Sequence, residues 1–283
     1  MFGRFGKDAG SLLGIDISCC GVRLLQLRRM AGTFQVQAQA MLPLVAGVLQ
    51  DGKVADPVRL AQLLGEAMAR SGASVREAAL AIPAAAVLTK TVQVPAGLAQ
   101  GALHARLRRE VEPFIPFALD DAAFDFECLG PVAHDPCSET VGVYTCHQDW
   151  LDGLEAALEL AGLRARVVET DSQALLRAVG PGDGAFAVVQ VEAGYWGLHA
   201  PQVAWRAEAG VAGELPQAFA ACVDQWLLNL EGAAPQRLVL VGAGATSLQA
   251  LELQRRLGLD TVLFNAADPA LALAYGLALR RAP

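Results

Sequence analysis

One acidic residue interrupts the first apolar run of the chain, in a setting where a carboxylate could do chemistry. Asp16 lies between Ile15 and Ile17, just before a turn over residues 18–21. Burying a carboxylate on such a run costs free energy unless it has a partner or a task. The small residues and glycine that follow leave room for the backbone to approach a phosphate, with amide groups forming an anion-binding concavity. The alternative is an ordinary β-hairpin with a surface aspartate.

Neither the cysteines nor the histidines have the spacing of a metal or redox site. The chain has 6 cysteines and 4 histidines, and it contains no C-x-x-C or H-E-x-x-H motif. We therefore predict reduced, mostly buried thiols in a reducing compartment and no metal site.

The composition is apolar and acidic. Hydrophobic residues make up 54% of the 283 residues and the net charge is −7, with a pI near 5.1 and a mean hydropathy of +0.36. The acidity argues against a nucleic-acid partner. No apolar run reaches the ~18 residues of a transmembrane helix, and residues 1–10 do not have the pattern of a signal peptide. We expect a cytoplasmic protein of about two domains.

The start of the chain has the element order of an α/β domain. The predicted elements are strands over residues 13–17, 22–27 and 33–42, a helix over 57–70 and a strand over 78–82. Asp56 and Pro57 supply the N-cap and first turn of the helix, and Gly72 ends it. The β-β-β-α-β order is typical of an α/β fold. We assign residues 12–86 and 148–180 to a first lobe, preceded by a flexible segment, 1–11.

The middle of the chain departs from this order. The predicted elements there are a strand over 87–94, a helix over 100–112 and strands over 123–129 and 141–146. Pro113 and Pro116 end the helix. We interpret residues 87–147 as a β-α-β-β subdomain inserted into the first lobe. That lobe resumes with a helix over 149–160, a strand over 164–168 and a helix over 172–179.

The last third repeats the opening pattern. Its predicted elements are strands over 185–191, 196–200 and 203–209, a helix over 213–231, a strand over 237–241, a helix over 248–257, a strand over 261–264 and a helix over 269–281. Duplicated β-β-β-α units build two-lobed folds with a ligand cleft between the lobes. We take 180–184 as the linker and 184–283 as the second lobe.

Fragments along nearly the whole chain together resemble the PilM family, actin-like cytoplasmic proteins of the type IV pilus assembly platform. They are GIDISCCGVRLLQL, VREAALAIPAAAVLTKTVQVP, REVEPFIPFALDDAAFDFECLG, VVETDSQALLRA, LVLVGAGA and LALAYGLALR. The most specific piece is the run over residues 115–126. The resemblance implies the two-lobed, ribonuclease H-like fold of actin and FtsA, with an inserted subdomain.

The resemblance also implies a nucleotide and a protein partner. The family binds ATP in its cleft and holds the N-terminal tail of the inner-membrane protein PilN. Asp16 corresponds to the acid that would position Mg²⁺ through water, and Arg23 stands where a lysine is usual. The positions implied to bind nucleotide are Gly14, Asp16, Ser18, Cys19, Cys20, Arg23, Gln190, Glu192, Gly242, Ala243 and Gly244.

The second phosphate loop departs from the family pattern. Where relatives have a D-I-G-like sequence after a strand, this chain has Gln190, Val191 and Glu192. A carboxylate about 5 Å from a phosphate charge costs about 3 kcal/mol at an effective dielectric of 20, roughly two decades of affinity. The segment 210–213 is also shorter than the subdomain that relatives carry there to enclose the adenine. Both changes weaken the binding of ATP and Mg²⁺, the cofactors that the resemblance implies, and no catalytic residue is assigned.

The main functional hypothesis is a scaffold that binds a PilN-like tail and connects the assembly platform to the pilus motor at the inner face of the inner membrane. We place the partner groove between the first lobe and the insert, with these lining residues: Val92, Val94, Phe114, Ile115 and Phe117. The alternative for those five residues is simply the core of the insert.

The alternative function is a nucleotide-switching ATPase or kinase on the same fold, for which Asp16 is the one candidate catalytic group and Gln190 and Glu192 are obstacles. A type II secretion platform domain or an FtsA-type division protein is a further alternative. Those proteins continue into a transmembrane or membrane-binding helix that this sequence does not show.

Overall fold

The computed structural model describes residues 12–133, 135–180, 185–201, 203–208, 215–229 and 235–280. The elements up to residue 86 are β1 (Leu13–Ser18), β2 (Gly21–Met30), β3 (Thr33–Leu42), β4 (Leu49–Gln50), β5 (Lys53–Val54), α1 (Pro57–Ser71) and β6 (Glu77–Ile82). The predicted hairpin, third strand, helix and buried strand are all present. Between β3 and α1, the two short strands β4 and β5 pair with each other.

Helix α1 begins and ends where its capping residues predict. The Asp56 carboxylate accepts a hydrogen bond from the Arg59 backbone N–H at 3.0 Å, and Pro57 occupies the first turn. At the other end, Gly72 adopts a left-handed conformation with φ 69°, which costs a glycine nothing. The apolar side of the helix packs onto the sheet that contains β1.

The insert is a separate three-stranded sheet with one helix. Its elements are β7 (Leu88–Pro95), α2 (Gln100–Val111), β8 (Ala122–Val132) and β9 (Asp135–His147), and the strand order is β7-β9-β8. The β8–β9 hairpin is longer than predicted, because the polar residues around 130–140 lack an apolar alternation yet still pair across the hairpin. Pro131 is tolerated there because β8 is an edge strand with irregular register.

The chain then returns to the first sheet. The returning elements are α3 (Asp149–Leu160), β10 (Arg164–Thr170) and α4 (Asp171–Val179). Strand β10 pairs in parallel with β6 and completes a five-stranded sheet in the order β10-β6-β1-β2-β3. Within this sheet the β1–β2 and β2–β3 pairs are antiparallel, whereas β1–β6 is parallel.

The last third builds a second sheet with the same topology. Its elements are β11 (Phe186–Val191), β12 (Tyr195–Ala200), β13 (Val203–Glu208), α5 (Gln217–Leu228), β14 (Arg237–Val241), α6 (Ser247–Leu257), β15 (Asp260–Leu263) and α7 (Ala272–Ala278). The strand order β13-β12-β11-β14-β15 repeats that of the first sheet, with the same pattern of parallel and antiparallel pairs. The repeat predicted from sequence is therefore present. The two sheets fall within the ranges assigned to the two lobes, whose boundaries stay a prediction.

Two helices of the second lobe are shorter than predicted. Helix α5 begins after Pro216, its N-cap, and ends at Leu228; residues 213–214 and 230–231 of the predicted helix lie outside the described residues. The final helix opens as a 3₁₀ turn over Pro269–Leu271 before α7. The predicted N-terminal segment 1–11, the linker residues 181–184 and the shortened segment 210–213 also lie outside the described residues.

Helix α7 connects the lobes. It packs against β1 and β2 of the first sheet and against α4, within an apolar cluster that includes Leu25, Leu175, Val239 and Leu277. No helix in the described ranges is both long and apolar enough to cross a membrane.

Candidate functional site

The cleft between the two sheets is bridged by a buried ion pair. Arg23 on β2 donates from both terminal nitrogens to Glu192, with Nη1–Oε1 and Nη2–Oε2 distances of 2.7 Å. The same Nη1 donates to Asp16 Oδ2 on β1 at 3.0 Å. Glu192 comes directly after β11, so the pair joins residues 169 positions apart in sequence. The acid that sequence alone left without a partner therefore has one.

Solvent is almost fully excluded from this triad. The side chains of Arg23, Asp16 and Glu192 are 5%, 2% and 0% exposed. Burial raises the pKa of Asp16 to about 6, against the lowering effect of Arg23. Burial alone would lower the pKa of Arg23, but its bonds to the two carboxylates raise it further above the usual value. Arg23 is therefore a permanent cation between two acids.

A second polar cluster lies beside the triad and also joins the lobes. Arg206 on β13 pairs with Asp171, at the start of α4, with an Nη2–Oδ2 distance of 3.1 Å, and its guanidinium lies 3.9 Å from the centre of the Tyr195 ring. The other Asp171 oxygen accepts from the backbone N–H of Ala84 at 2.9 Å and of Ser172 at 2.7 Å. Both carboxylate oxygens of Asp171 therefore already have partners within the protein.

Gln190 belongs to a buried hydrogen-bond chain. Its Oε1 lies 3.2 Å from His199 Nε2, and His199 Nδ1 lies 2.7 Å from Ser172 Oγ. Burial lowers the pKa of His199, so the imidazole is neutral. The sequence reading missed Asp171, Tyr195, His199 and Arg206; the available signal was the same as for Asp16, a polar residue inside an apolar strand or at a helix start.

Three glycines assigned to nucleotide loops lie against backbone. A Cβ on Gly14 would be 1.9 Å from the Ala274 carbonyl oxygen of α7. Gly242 and Gly244 lie against the end of β11, where Val191 O would be 2.2 Å and 3.2 Å from their added Cβ atoms. The Gly244 N–H donates to Val191 O at 2.9 Å, and the Gly242 N–H to Pro269 O at 2.8 Å. Close packing therefore accounts for these glycines, while the neighbouring Ala243 is exposed.

The turn after β1 carries two thiols in contact. The Cys19 and Cys20 sulfurs are 3.7 Å apart. The hydrogen bond from Cys20 lowers the pKa of Cys19 to about 6, with a further contribution from Arg206, and it raises the pKa of Cys20. Ser18 Oγ is buried and has no hydrogen-bond partner among the described residues.

These residues do not fit a Mg²⁺-bound triphosphate. Among residues within the described ranges, Arg23 lies between the two turns with its donors committed to Asp16 and Glu192, and Arg206 lies beside the first turn, paired with Asp171. These two cations face three carboxylates, Asp16, Glu192 and Asp171, so the excess negative charge would repel a polyanion. The hydroxyl of Ser18 is available, but the amides of Gly242 and Gly244 are bonded to backbone carbonyls.

The five predicted groove residues are distributed over the insert. Val92 and Val94 lie in its core, and Phe114 and Ile115 pack against that core. Phe117 contacts the ring of His147 edge-on, with centroids 5.2 Å apart. The structure therefore gives Val92 and Val94 the packing role that was the alternative in the sequence analysis.

A cavity opens between the insert and the first sheet. It has a volume of about 510 Å³ and is lined by residues 122–125 of β8, 144–146 of β9, 165–170 of β10 and Gln173 of α4. None of the five predicted groove residues lines it. Neighbouring residues of a strand point to opposite faces, so the consecutive run 165–170 shows that the cavity follows the edge of β10. Among the described strands, β10 pairs only with β6.

Comparison with known proteins places the chain among pilus-assembly proteins. The sequence profile of the family described as "Type IV pilus assembly protein PilM" matches residues 14–184. A solved PilM–PilN type IV pilus biogenesis complex is similar with a TM-score of 0.74 and 22% identity, over 96% of this chain and 98% of that chain.

Two further solved structures are similar at a lower level. The ethanolamine utilization protein EutJ from Carboxydothermus hydrogenoformans has a TM-score of 0.54 and 16% identity, over 95% of this chain and 89% of that chain. The cytoplasmic domain of EpsL, from the type II secretion system of Vibrio cholerae, has a TM-score of 0.50 and 15% identity, over 81% of each chain. Together with the repeated sheets and the insert, these likenesses identify the actin-like fold.

Proposed function

Because this chain belongs to the PilM family of type IV pilus assembly proteins, we propose that it is a scaffold that binds the N-terminal tail of a PilN-like inner-membrane protein. It works at the inner face of the inner membrane and connects that protein to the pilus motor. The tail lies in the cavity between the insert and the first sheet. The observation that carries the proposal is that cavity, which follows the edge of β10, a strand that pairs only with β6 among the described strands.

The shape of the cavity favours an extended peptide. An edge strand presents a row of unpaired N–H and C=O groups that an extended chain can join as a further strand. Strand β10 offers such an edge along residues 165–170. Its neighbours in the cavity wall supply apolar contact from Val167 and Phe124 and charges of both signs from Arg166 and Asp125. Main-chain bonds would give affinity, and these side chains would select the sequence.

The proposed function does not require nucleotide binding. The two acids at the cleft and the committed donors of Arg23 oppose a Mg²⁺-bound triphosphate. The competing function is a switch controlled by ATP, and the support for it is the actin-like fold. A parallel titration with Mg-ATP separates the two.

The test is calorimetric titration of the purified chain with a synthetic peptide of the PilN-like tail. We expect binding without nucleotide. Gln173→Trp fills the cavity from α4 and should weaken binding at least tenfold. Gln62→Trp makes the same change at an exposed site on α1 and should leave the affinity unchanged. Equal peptide affinity of the two variants would show that the partner binds outside this cavity.

Peptides N-methylated at alternate positions test the strand-addition mode. If the tail joins β10, one set of alternate amides faces the strand and the other faces away. Methylation of the first set should abolish binding, whereas methylation of the second should be tolerated. Equal effects of the two sets would contradict strand addition.

Phe114→Ala tests the original placement of the groove. Lost peptide binding with an unchanged unfolding midpoint would extend the groove to the predicted residues. A lowered midpoint would instead assign Phe114 to the packing of the insert, as its contact with the apolar core indicates.

A further inference from the structure

We propose that Glu192 is an internal ligand of the cleft: its carboxylate occupies on Arg23 the position that an external oxyanion would take, and the pair holds the two lobes together without nucleotide. This extends the proposed nucleotide-free function from partner binding to the conformation of the cleft. The two claims rest on different residues and can fail separately.

The geometry of the pair is that of oxyanion recognition. A guanidinium that donates two parallel hydrogen bonds is the arrangement by which arginine binds either carboxylate or phosphate. Both Arg23 bonds to Glu192 measure 2.7 Å, which is at the short end for charge-assisted bonds. The Arg23 site is therefore formed, and the chain itself supplies its anion.

The location of the pair turns this local contact into a link between lobes. Arg23 is on β2 of the first sheet, and Glu192 follows β11 of the second. The Glu192 backbone is fixed in its turn by a hydrogen bond from its N–H to Tyr195 O at 2.9 Å. Separating the lobes would pull both charges apart inside a region from which water is excluded.

The energetic role follows from burial. Breaking a buried ion pair by removing one partner leaves an uncompensated charge in a medium of low dielectric, which is strongly destabilising. Arg23 also neutralises Asp16, so its loss exposes two acids to each other. Removing Glu192 leaves Arg23 paired with Asp16 alone and frees one of its terminal nitrogens for an external anion.

A double-mutant cycle measures the link. Arg23→Met, Glu192→Gln and the double variant are unfolded in urea beside the wild type, and Arg237→Met, Asp260→Asn and their double variant form a control cycle. That control pair has a similar distance, Nε–Oδ2 2.8 Å, but side chains that are 56% and 49% exposed. We expect Arg23→Met to raise the unfolding equilibrium constant by roughly a hundredfold or more.

The coupling between the partners decides the first half of the proposal. It should exceed roughly tenfold for Arg23 and Glu192 and stay below about fivefold for the exposed pair. Equal coupling in the two cycles would overturn the link. If Arg23→Met does not fold, Arg23→Lys replaces it, because lysine keeps the charge but loses the two-point geometry.

Anion binding tests the second half, with inorganic pyrophosphate and Mg-ATP as probes. The wild type should bind neither at millimolar concentration. Glu192→Gly should bind pyrophosphate at least tenfold more tightly than the wild type, and Arg23→Met/Glu192→Gly should lose that gain. Tight binding to the wild type, or no gain in a folded Glu192→Gly, would overturn the idea that Glu192 fills the site.

The peptide titration, repeated on Glu192→Gln, keeps this inference separate from the proposed function. Unchanged peptide affinity together with strong coupling supports a closed cleft that is independent of the partner site. Loss of peptide binding by the wild type would contradict the scaffold and leave the cleft result standing.

Discussion

Gly14 of β1 and Ala274 of α7 lie in direct backbone contact. A Cβ at Gly14 would lie 1.9 Å from the Ala274 carbonyl oxygen and 2.7 Å from the Ala278 nitrogen. The same helix meets α4 in the same way, since a Cβ at Gly276 would lie 1.9 Å from the Ala174 carbonyl oxygen. Helix α7 of the second lobe is therefore fitted against the first lobe through two glycines.

Adding one methyl group at either contact should destabilise the fold. We expect Gly14→Ala and Gly276→Ala to lower the free energy of unfolding by about 1–3 kcal/mol or more, because backbone has to move. Gly65→Ala is the control: it lies in α1 with nothing within 4 Å of its added Cβ, so it should stabilise by about 1 kcal/mol. Urea unfolding of the three variants checks this. Stability unchanged in Gly14→Ala would show that the contact is loose.

The sequence predicted the elements well because local pattern determines them. The alternation over Thr33–Leu42 matches β3, and the Asp56 cap and Gly72 stop match α1. The resemblance to the PilM family is confirmed by the profile match over 14–184. Where pattern is weak, as in the polar part of the β8–β9 hairpin, the prediction stopped too early.

The candidate site is harder to predict from the sequence than the secondary structure, because the residues that pair there are distant in sequence. Taken alone, the sequence predicts that Glu192 is an obstacle to phosphate and that Arg23 is a phosphate ligand. The structure pairs them across 169 positions, which no local pattern encodes. The assigned nucleotide positions stay a prediction, and the ion pair opposes them. The sequence likewise assigns Val92 and Val94 to the groove, whereas the structure places them in the apolar core of the insert and outside the cavity lining.

Cys19 should react with an alkylating reagent at a lower pH than Cys128. Cys19, with its pKa lowered to about 6 by the Cys20 thiol, should be alkylated by iodoacetamide at a rate whose pH profile has its midpoint near pH 6. Cys128, whose pKa burial raises, should react only in alkaline solution. Peptide mass spectrometry after timed labelling between pH 5 and 9 gives both profiles.

Removal of the hydrogen-bond donor is the control for this effect. Cys20→Ala should move the Cys19 midpoint towards the ordinary value of about 8.5. An unmoved midpoint would mean that Cys20 does not set the reactivity of Cys19.

His199 should make the protein less stable in acid. Burial lowers its pKa from 6.5, so the unfolded state binds the proton more readily than the folded state. Stability is then fully present above about pH 6.5 and is lost as the pH falls towards the lower folded pKa, by up to about 1.4 kcal/mol per pH unit. His199→Gln should lack this loss. Urea unfolding at intervals from pH 7.5 to 5 compares the two proteins; parallel curves would contradict a neutral buried imidazole.

Asp16 should show the opposite sign in an overlapping range. Its pKa is raised to about 6 by burial, so the folded state binds the proton more tightly than the unfolded state, whose value is near 3.9. The cost of burying the carboxylate is complete above about pH 6 and is relieved as the pH falls from 6 to 4. A pKa difference of about two units between the folded and unfolded states corresponds to about 3 kcal/mol in the free energy of unfolding.

Asp16→Asn removes that cost and keeps an oxygen that can accept from Arg23. At pH 7.5 the variant should be at least as stable as the wild type, by up to about 3 kcal/mol, and its advantage should shrink as the solution is acidified to pH 5. Arg23 retains Glu192 in the variant, so the bridge between the lobes persists. A variant less stable than the wild type at pH 7.5, with the same pH dependence, would show that the Asp16–Arg23 attraction outweighs the cost of burial.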